Sequence, residues 1–134
     1  MTTPAPIRHT VLLRHKLPDG SWHFDWLIDR GSALPLVSFR VLERVDIPTI
    51  TEFFADRIGD HRREYLQYEG PVSDGRGNVQ RMASGIVESL SEDPDHFQIT
   101  VSFGTSRRSW TGTRIDAGRW RFEVSGPDSV GRST

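Results

Sequence analysis

A chain of 134 residues fits one domain of ordinary size. Size scaling leaves about 68% of its unfolded surface buried, enough for a core without staples. The chain has no cysteine, which excludes a disulfide scaffold, a thiolate-ligated zinc and a cysteine nucleophile. A net charge of -1 gives no global field toward nucleic acid. No apolar run approaches the ~20 residues that span a bilayer, and no basic-then-apolar leader opens the chain. A soluble cytoplasmic protein with no membrane partner is expected.

In chain order, residues 1–7 read as a flexible N-terminus, and the first strand covers Thr10–His15. Pro18-Asp19-Gly20 follows as a turn. On the next strand Trp22, Phe24, Trp26 and Ile28 alternate with His23, Asp25 and Leu27. Leu36–Leu42 reads as a third strand. Thr49 with Glu52 forms a capping-box pattern. Ile50, Phe53, Phe54 and Arg57 then follow at helical spacing, and Gly59 could close a short helix. Four more strands are expected at Asn78–Ala83, Phe97–Phe103, Ser109–Ile115 and Trp120–Val124. The polar Gly/Ser/Pro-rich stretch 125–134 reads as a disordered tail. Many short strands with such punctuation predict a mostly β protein, a compact antiparallel β-barrel over residues 8–124 with one short helix.

Charge is distributed unevenly. Sixteen of the 17 basic residues are arginine, a ratio that codon usage in a GC-rich genome produces. The guanidinium fork also grips phosphate bidentately, so position must decide between the two readings. Arg14, Arg57, Arg62, Arg63 and Arg76 fall in or near the polar motifs. Arg107, Arg108, Arg114, Arg119 and Arg121 read as a basic flank that could guide a nucleic-acid strand.

The first motif lies in the hairpin. His23 and Asp25 are two apart on a strand and share a face. Pro18 suits the second position of a type I turn, and Gly20 the left-handed residue after it. That is the three-residue hairpin with a bulge, which sets His15 opposite His23 and on the same face. A two-residue loop would place His15 with Phe24 instead. Two imidazoles and a carboxylate suit Zn²⁺, Mn²⁺ or Fe²⁺ with positions left for water or substrate. A solvated strand face is the plainer alternative.

The second motif is Asp60-His61-Arg62-Arg63-Glu64-Tyr65-Leu66-Gln67-Tyr68-Glu69-Gly70. His61 could move a proton near neutral pH. Tyr65 could hydrogen-bond an anion that an arginine neutralises. A polar loop with two tyrosine anchors is equally consistent. The Ser73-Asp74-Gly75-Arg76-Gly77 stretch reads as a hairpin loop or as a set of backbone N–H groups for a phosphate.

Taken together, the motifs resemble the 3′-phosphoesterase domain of bacterial DNA ligase D and its stand-alone relatives. That family opens with an apolar strand ending in His, here Val11 to His15, followed by His-aromatic-Asp, here His23-Phe24-Asp25. It continues with Asp-His, Tyr and aromatic-Glu-Gly, here Asp60-His61, Tyr65 and Tyr68-Glu69-Gly70. The resemblance covers roughly residues 8–124. It implies a barrel with the site in its mouth, and a divalent ion, Mn²⁺ or Zn²⁺, on His15, His23 and Asp25. It implies that His61 and Tyr65 contact the scissile phosphate. The implied substrates are DNA or RNA/DNA 3′ ends bearing a phosphate or a ribonucleotide, in end repair with a DNA ligase or end-joining proteins. The chain departs from the family at two positions. Leu27 and Phe53 stand where the family has arginines, and Arg14, Arg57, Arg62 or Arg76 are the candidate substitutes for phosphate binding. A catalytically impaired module that only binds a phosphorylated nucleic-acid end is the alternative expectation.

Overall fold

Strand alternation decides the architecture, and a computed structural model shows how; it describes residues 6–125. Nine strands follow in order: β1 (Arg8–Lys16), β2 (Trp22–Ile28), β3 (Leu36–Val41), β4 (Glu52–His61), β5 (Gly70–Pro71), β6 (Asn78–Asp93), β7 (His96–Phe103), β8 (Ser106–Arg114) and β9 (Arg119–Val124). A single 3-10 turn, Arg63–Leu66, lies between β4 and β5. The expected N-terminal segment 1–7 and tail 125–134 fall almost wholly outside the described residues.

All pairings are antiparallel. Sheet order is β1-β2-β3-β4-β9-β8-β7-β6-β5, and β1 also pairs with β6. That extra pairing closes eight strands into a ring and leaves the two-residue β5 at the side. Closure removes the long free edges that an open sheet of this size would present.

The ring interior draws on all eight of its strands. Trp26, Phe39, Phe97, Phe122 and Trp110 are fully buried there, and Phe53 stacks on Phe122 at 5.1 Å. Trp26 Nε1 donates to Thr10 Oγ1, which donates on to the Leu27 carbonyl, both at 2.8 Å. The largest indole is thereby satisfied and β1 is locked to β2.

The helix expected over Thr49–Gly59 is corrected: this stretch carries β4. Phe53 and Ala55 are buried while Phe54 is 45% exposed, so the apolar period is two. Ile50, Phe53 and Phe54 matched a helical face by coincidence of spacing. Neighbours on both sides, β3 and β9, supply the backbone hydrogen bonds that a strand requires.

One wall differs from the rest. β4 and β9 alternate buried and exposed, whereas β2 is buried from His23 to Ile28 without a break. Both faces of this wall are covered. Outside it, Val11, Leu13, Leu27, Leu36 and Val79 form a second, smaller apolar cluster, against which Tyr65, Leu66 and Val72 pack. Residues 62–77 therefore lie as a flap over the outer face of β1, β2, β3 and the start of β6.

Candidate functional site

The β1–β2 hairpin has the three-residue turn that its sequence predicts. Leu17 N donates to Ser21 O and Gly20 N to Leu17 O, with Gly20 at φ +91°. His15 consequently faces His23, and Leu13 faces Asp25. His15, His23 and Asp25 project from the outer face of the wall, beside Val11, Leu13 and Leu27. The barrel-mouth location that the resemblance implied is corrected accordingly: the site is on the ring's flank, beneath the flap.

The three side chains converge. Their potential ligand atoms all lie within 4.8 Å of one another, His23 and Asp25 are buried, and His15 is half-buried. His15 Nε2 lies 2.8 Å from the Arg76 carbonyl, which can only accept, so Nε2 is the donor in this contact. The other ring nitrogen, Nδ1, faces Asp25 Oδ2 at 3.5 Å. His23 Nε2 lies 3.0 Å from Asp25 Oδ1, but the angles do not suit a hydrogen bond, and both atoms are buried without a partner. Unpaired buried polar atoms are costly. Two imidazole nitrogens and a carboxylate so placed could hold a divalent ion, and the mixed donor set suits Mn²⁺ or Zn²⁺.

A pocket of about 500 Å³ opens beside this cluster. His15 and Asp25 line it from the wall; His61, Arg62, Tyr65 and Arg76 line it from β4 and the flap. His61 sits at the end of β4, where an extra residue on β4 shifts its register against β3 between Leu36 and Ser38. Its Nδ1 is 2.7 Å from Ser38 Oγ and 3.3 Å from Gly59 O. Burial lowers its pKa below the usual histidine range, against the upward pull of the Asp25 carboxylate. The His61 and Tyr65 rings meet edge to face at 5.4 Å.

The flap has three fastenings. Arg63 grips the buried Asp29 with both terminal nitrogens at 2.7 Å, and also donates to Leu34 O. Tyr68 donates to the Pro71 carbonyl, and Glu69 Oε2 accepts from Arg81 N at 2.7 Å. Arg81 N is at the β1–β6 bulge, so the Tyr68-Glu69-Gly70 stretch pins the flap to β6. The third fastening is the His15 contact with Arg76 O, in a loop whose Gly77 lies against the Lys16 backbone.

Of the phosphate-binding candidates, Arg62 and Arg76 reach the pocket; Arg14 and Arg57 do not. Arg14 leans over the Trp22 ring at 4.9 Å, on the face of β1 opposite His15. The Arg57 guanidinium lies over Phe39 at 5.4 Å, with its Nη2 3.8 Å from Asp60 Oδ1. Arg63 is engaged by Asp29. Four of the five arginines of the expected basic flank lie beside carboxylates. Arg107 meets Glu88, Arg114 meets Asp95, Arg119 meets Asp56, and Arg121 meets Glu52 and Glu123. Arg108 donates to the Ile50 and Pro48 carbonyls. Leu27 is fully buried in the outer cluster and Phe53 in the ring interior, so neither position reaches the pocket.

No family model and no curated protein matches this chain. Ser38 and Asp29, which hold the site, lie outside both sequence motifs. Ser38 lies in a strand of apolar neighbours, and only the β3–β4 register reveals what its hydroxyl meets.

Proposed function

We propose that this chain is a metal-dependent phosphoesterase acting on the 3′ ends of nucleic acids, removing a terminal phosphate or a ribonucleotide. One observation carries the reading: His15, His23 and Asp25 converge, with two of their buried atoms unpartnered, at the side of a pocket holding His61, Tyr65 and two arginines. The 3′ end as substrate comes from the sequence resemblance.

His15 Nδ1, His23 Nε2 and the Asp25 carboxylate would hold the ion, Mn²⁺ first and Zn²⁺ second. When bound, it supplies Lewis-acid polarisation of a phosphoryl oxygen and a more acidic water. The chain's own groups do the rest. Arg76 is held to Ser73 through Nε and Nη2, which leaves Nη1 for an equatorial phosphate oxygen. Arg62, over the Tyr65 ring at 5.9 Å and with Nη2 3.3 Å from Glu64 Oε2, adds a second cation at the pocket rim. His61 moves the proton.

The test is release of phosphate from a 3′-phosphorylated oligonucleotide with and without Mn²⁺. Mn²⁺-dependent release that His23→Ala abolishes is the expected result. No turnover by folded, metal-supplemented protein would overturn the enzyme reading. In a second reading the pocket only docks a phosphorylated end, because Leu27 stands where the resembled family carries an arginine. Salt-dependent oligonucleotide binding without hydrolysis would select that module.

A further inference from the structure

Two hydrogen-bond acceptors that cannot donate surround the buried side of His61. The Gly59 carbonyl faces its Nδ1 at 3.3 Å, and the Leu36 carbonyl faces Ser38 Oγ at 3.3 Å. Between them, Ser38 Oγ and His61 Nδ1 are 2.7 Å apart. For a neutral ring, two placements of the protons make the 2.7 Å contact a hydrogen bond. In the first, Nδ1–H donates to Ser38 Oγ and toward Gly59 O, and the Ser38 hydroxyl donates to Leu36 O. Every group then finds a complement. In the second, the Ser38 hydroxyl donates to a bare Nδ1. The lone pairs of Ser38 Oγ and Nδ1 then face the lone pairs of Leu36 O and Gly59 O. Ser38 and Leu36 are fully buried, so no solvent relieves the contact between Ser38 Oγ and the Leu36 carbonyl.

We infer that Ser38 is a positioning residue: with the Gly59 carbonyl it holds His61 in the Nδ1–H tautomer, so that a bare Nε2 faces the pocket and acts as a base. The direction of catalysis in this statement rests on the phosphoesterase reading; the tautomer does not. A free histidine side chain favours the opposite form, with the proton on Nε2. The β3–β4 register thus reverses a default preference, as a hydrogen-bond partner on one ring nitrogen can. The depressed affinity of His61 for a second proton agrees with a neutral ring. In the proposed reaction, water oxygen bonds to phosphorus while its proton passes to Nε2. The ester P–O bond breaks with its electron pair on the departing oxygen, and Nε2–H returns the proton to that oxygen.

The deciding measurement is a long-range ¹H–¹⁵N correlation spectrum of the full chain without added metal, above the histidine titration range. His61 is assigned by comparison with His61→Gln. The expected pattern is a protonated Nδ1 and a bare Nε2. A protonated Nε2 in the unsubstituted protein overturns the inference. Ser38→Ala should convert the His61 signals to mixed or Nε2–H form, and Ser38→Thr, which keeps the hydroxyl, should restore them. An unchanged Nδ1–H signal in Ser38→Ala would also overturn the role of Ser38. If the chain hydrolyses the 3′-phosphorylated oligonucleotide, Ser38→Ala should lower kcat about tenfold with KM within about twofold. That is less than the ~10²–10⁴-fold loss of removing a general base outright. Absence of hydrolysis alongside the expected tautomer would overturn the enzyme reading alone.

Discussion

Arg76 serves the pocket through two separate groups. Its backbone carbonyl accepts from His15, and its guanidinium lines the pocket from a perch on Ser73. Substitution separates the two. Arg76→Ala keeps the carbonyl, so Mn²⁺ affinity by calorimetric titration is predicted to stay within about twofold. Loss of a charge-assisted contact worth ~1.5–3 kcal/mol should lower kcat/KM roughly ten- to hundredfold. Gly77→Ala has the reverse signature. A Cβ there would lie 2.0 Å from the Lys16 carbonyl oxygen, at a φ of +102°. The loop must move and carry the Arg76 carbonyl with it. A stability loss of about 2 kcal/mol or more is predicted, together with weaker Mn²⁺ binding, both measurable on the same protein by thermal denaturation and titration.

At the scale of elements, the flap depends on Asp29 and Arg63. The bidentate Arg63 contact lowers the Asp29 pKa; burial opposes this, and the Gly31 backbone N–H adds to the lowering. A carboxylate whose folded pKa lies below its unfolded value contributes stability above the unfolded pKa. That contribution is lost as pH falls through the folded value. Stability is therefore predicted to decline below about pH 4, and Asp29→Asn should flatten that part of the profile. At neutral pH the same change should cost about 1–3 kcal/mol, discounted for the partly exposed Arg63. Urea unfolding at several pH values reads both effects, and faster amide exchange confined to residues 62–77 would place the loss in the flap.

Local patterns made seven strands legible, by alternation where one face is buried and, in β1 to β3, by short apolar runs between turn residues. The His15–His23 register was legible too, since Pro18 and Gly20 fix the turn. β4 was not. Ala55 is too small to read as core, which left Phe53 and Phe54 to mimic a helix face. Of the site, the hairpin half is local and could be read, including His15, His23 and Asp25. The other half depends on the ring. That Ser38 meets His61, Asp29 meets Arg63 and Arg76 meets His15 follows from strand order, and no spacing within a single segment encodes it.

For the molecule as a whole, pairing of charge matters more than its count. Arg107, Arg114, Arg119 and Arg121 already have carboxylates, so this flank offers few unpaired cations to a polyanion. Arg62 and Arg76 are the pocket's contribution. Single-strand affinity is predicted to fall with salt at a log–log slope of about -1 to -2, the value for two phosphate contacts. Fluorescence anisotropy across a salt series measures it, and a slope steeper than about -4 would show that the paired flank opens to bind.

Closure of the ring has a consequence in time. β1 forms early with its neighbour β2, but its other partner, β6, begins at Asn78. The His15–Arg76 contact spans 61 residues and the Arg63–Asp29 contact spans 34. Contacts of such separation form late and slow folding, because a long loop must close before they are rewarded. The hairpin carrying His15, His23 and Asp25 is thus predicted to form before the pocket beside it does. During refolding, weak Mn²⁺ capture by the hairpin should precede the slow step, and tight capture should appear only as β6 seals the ring.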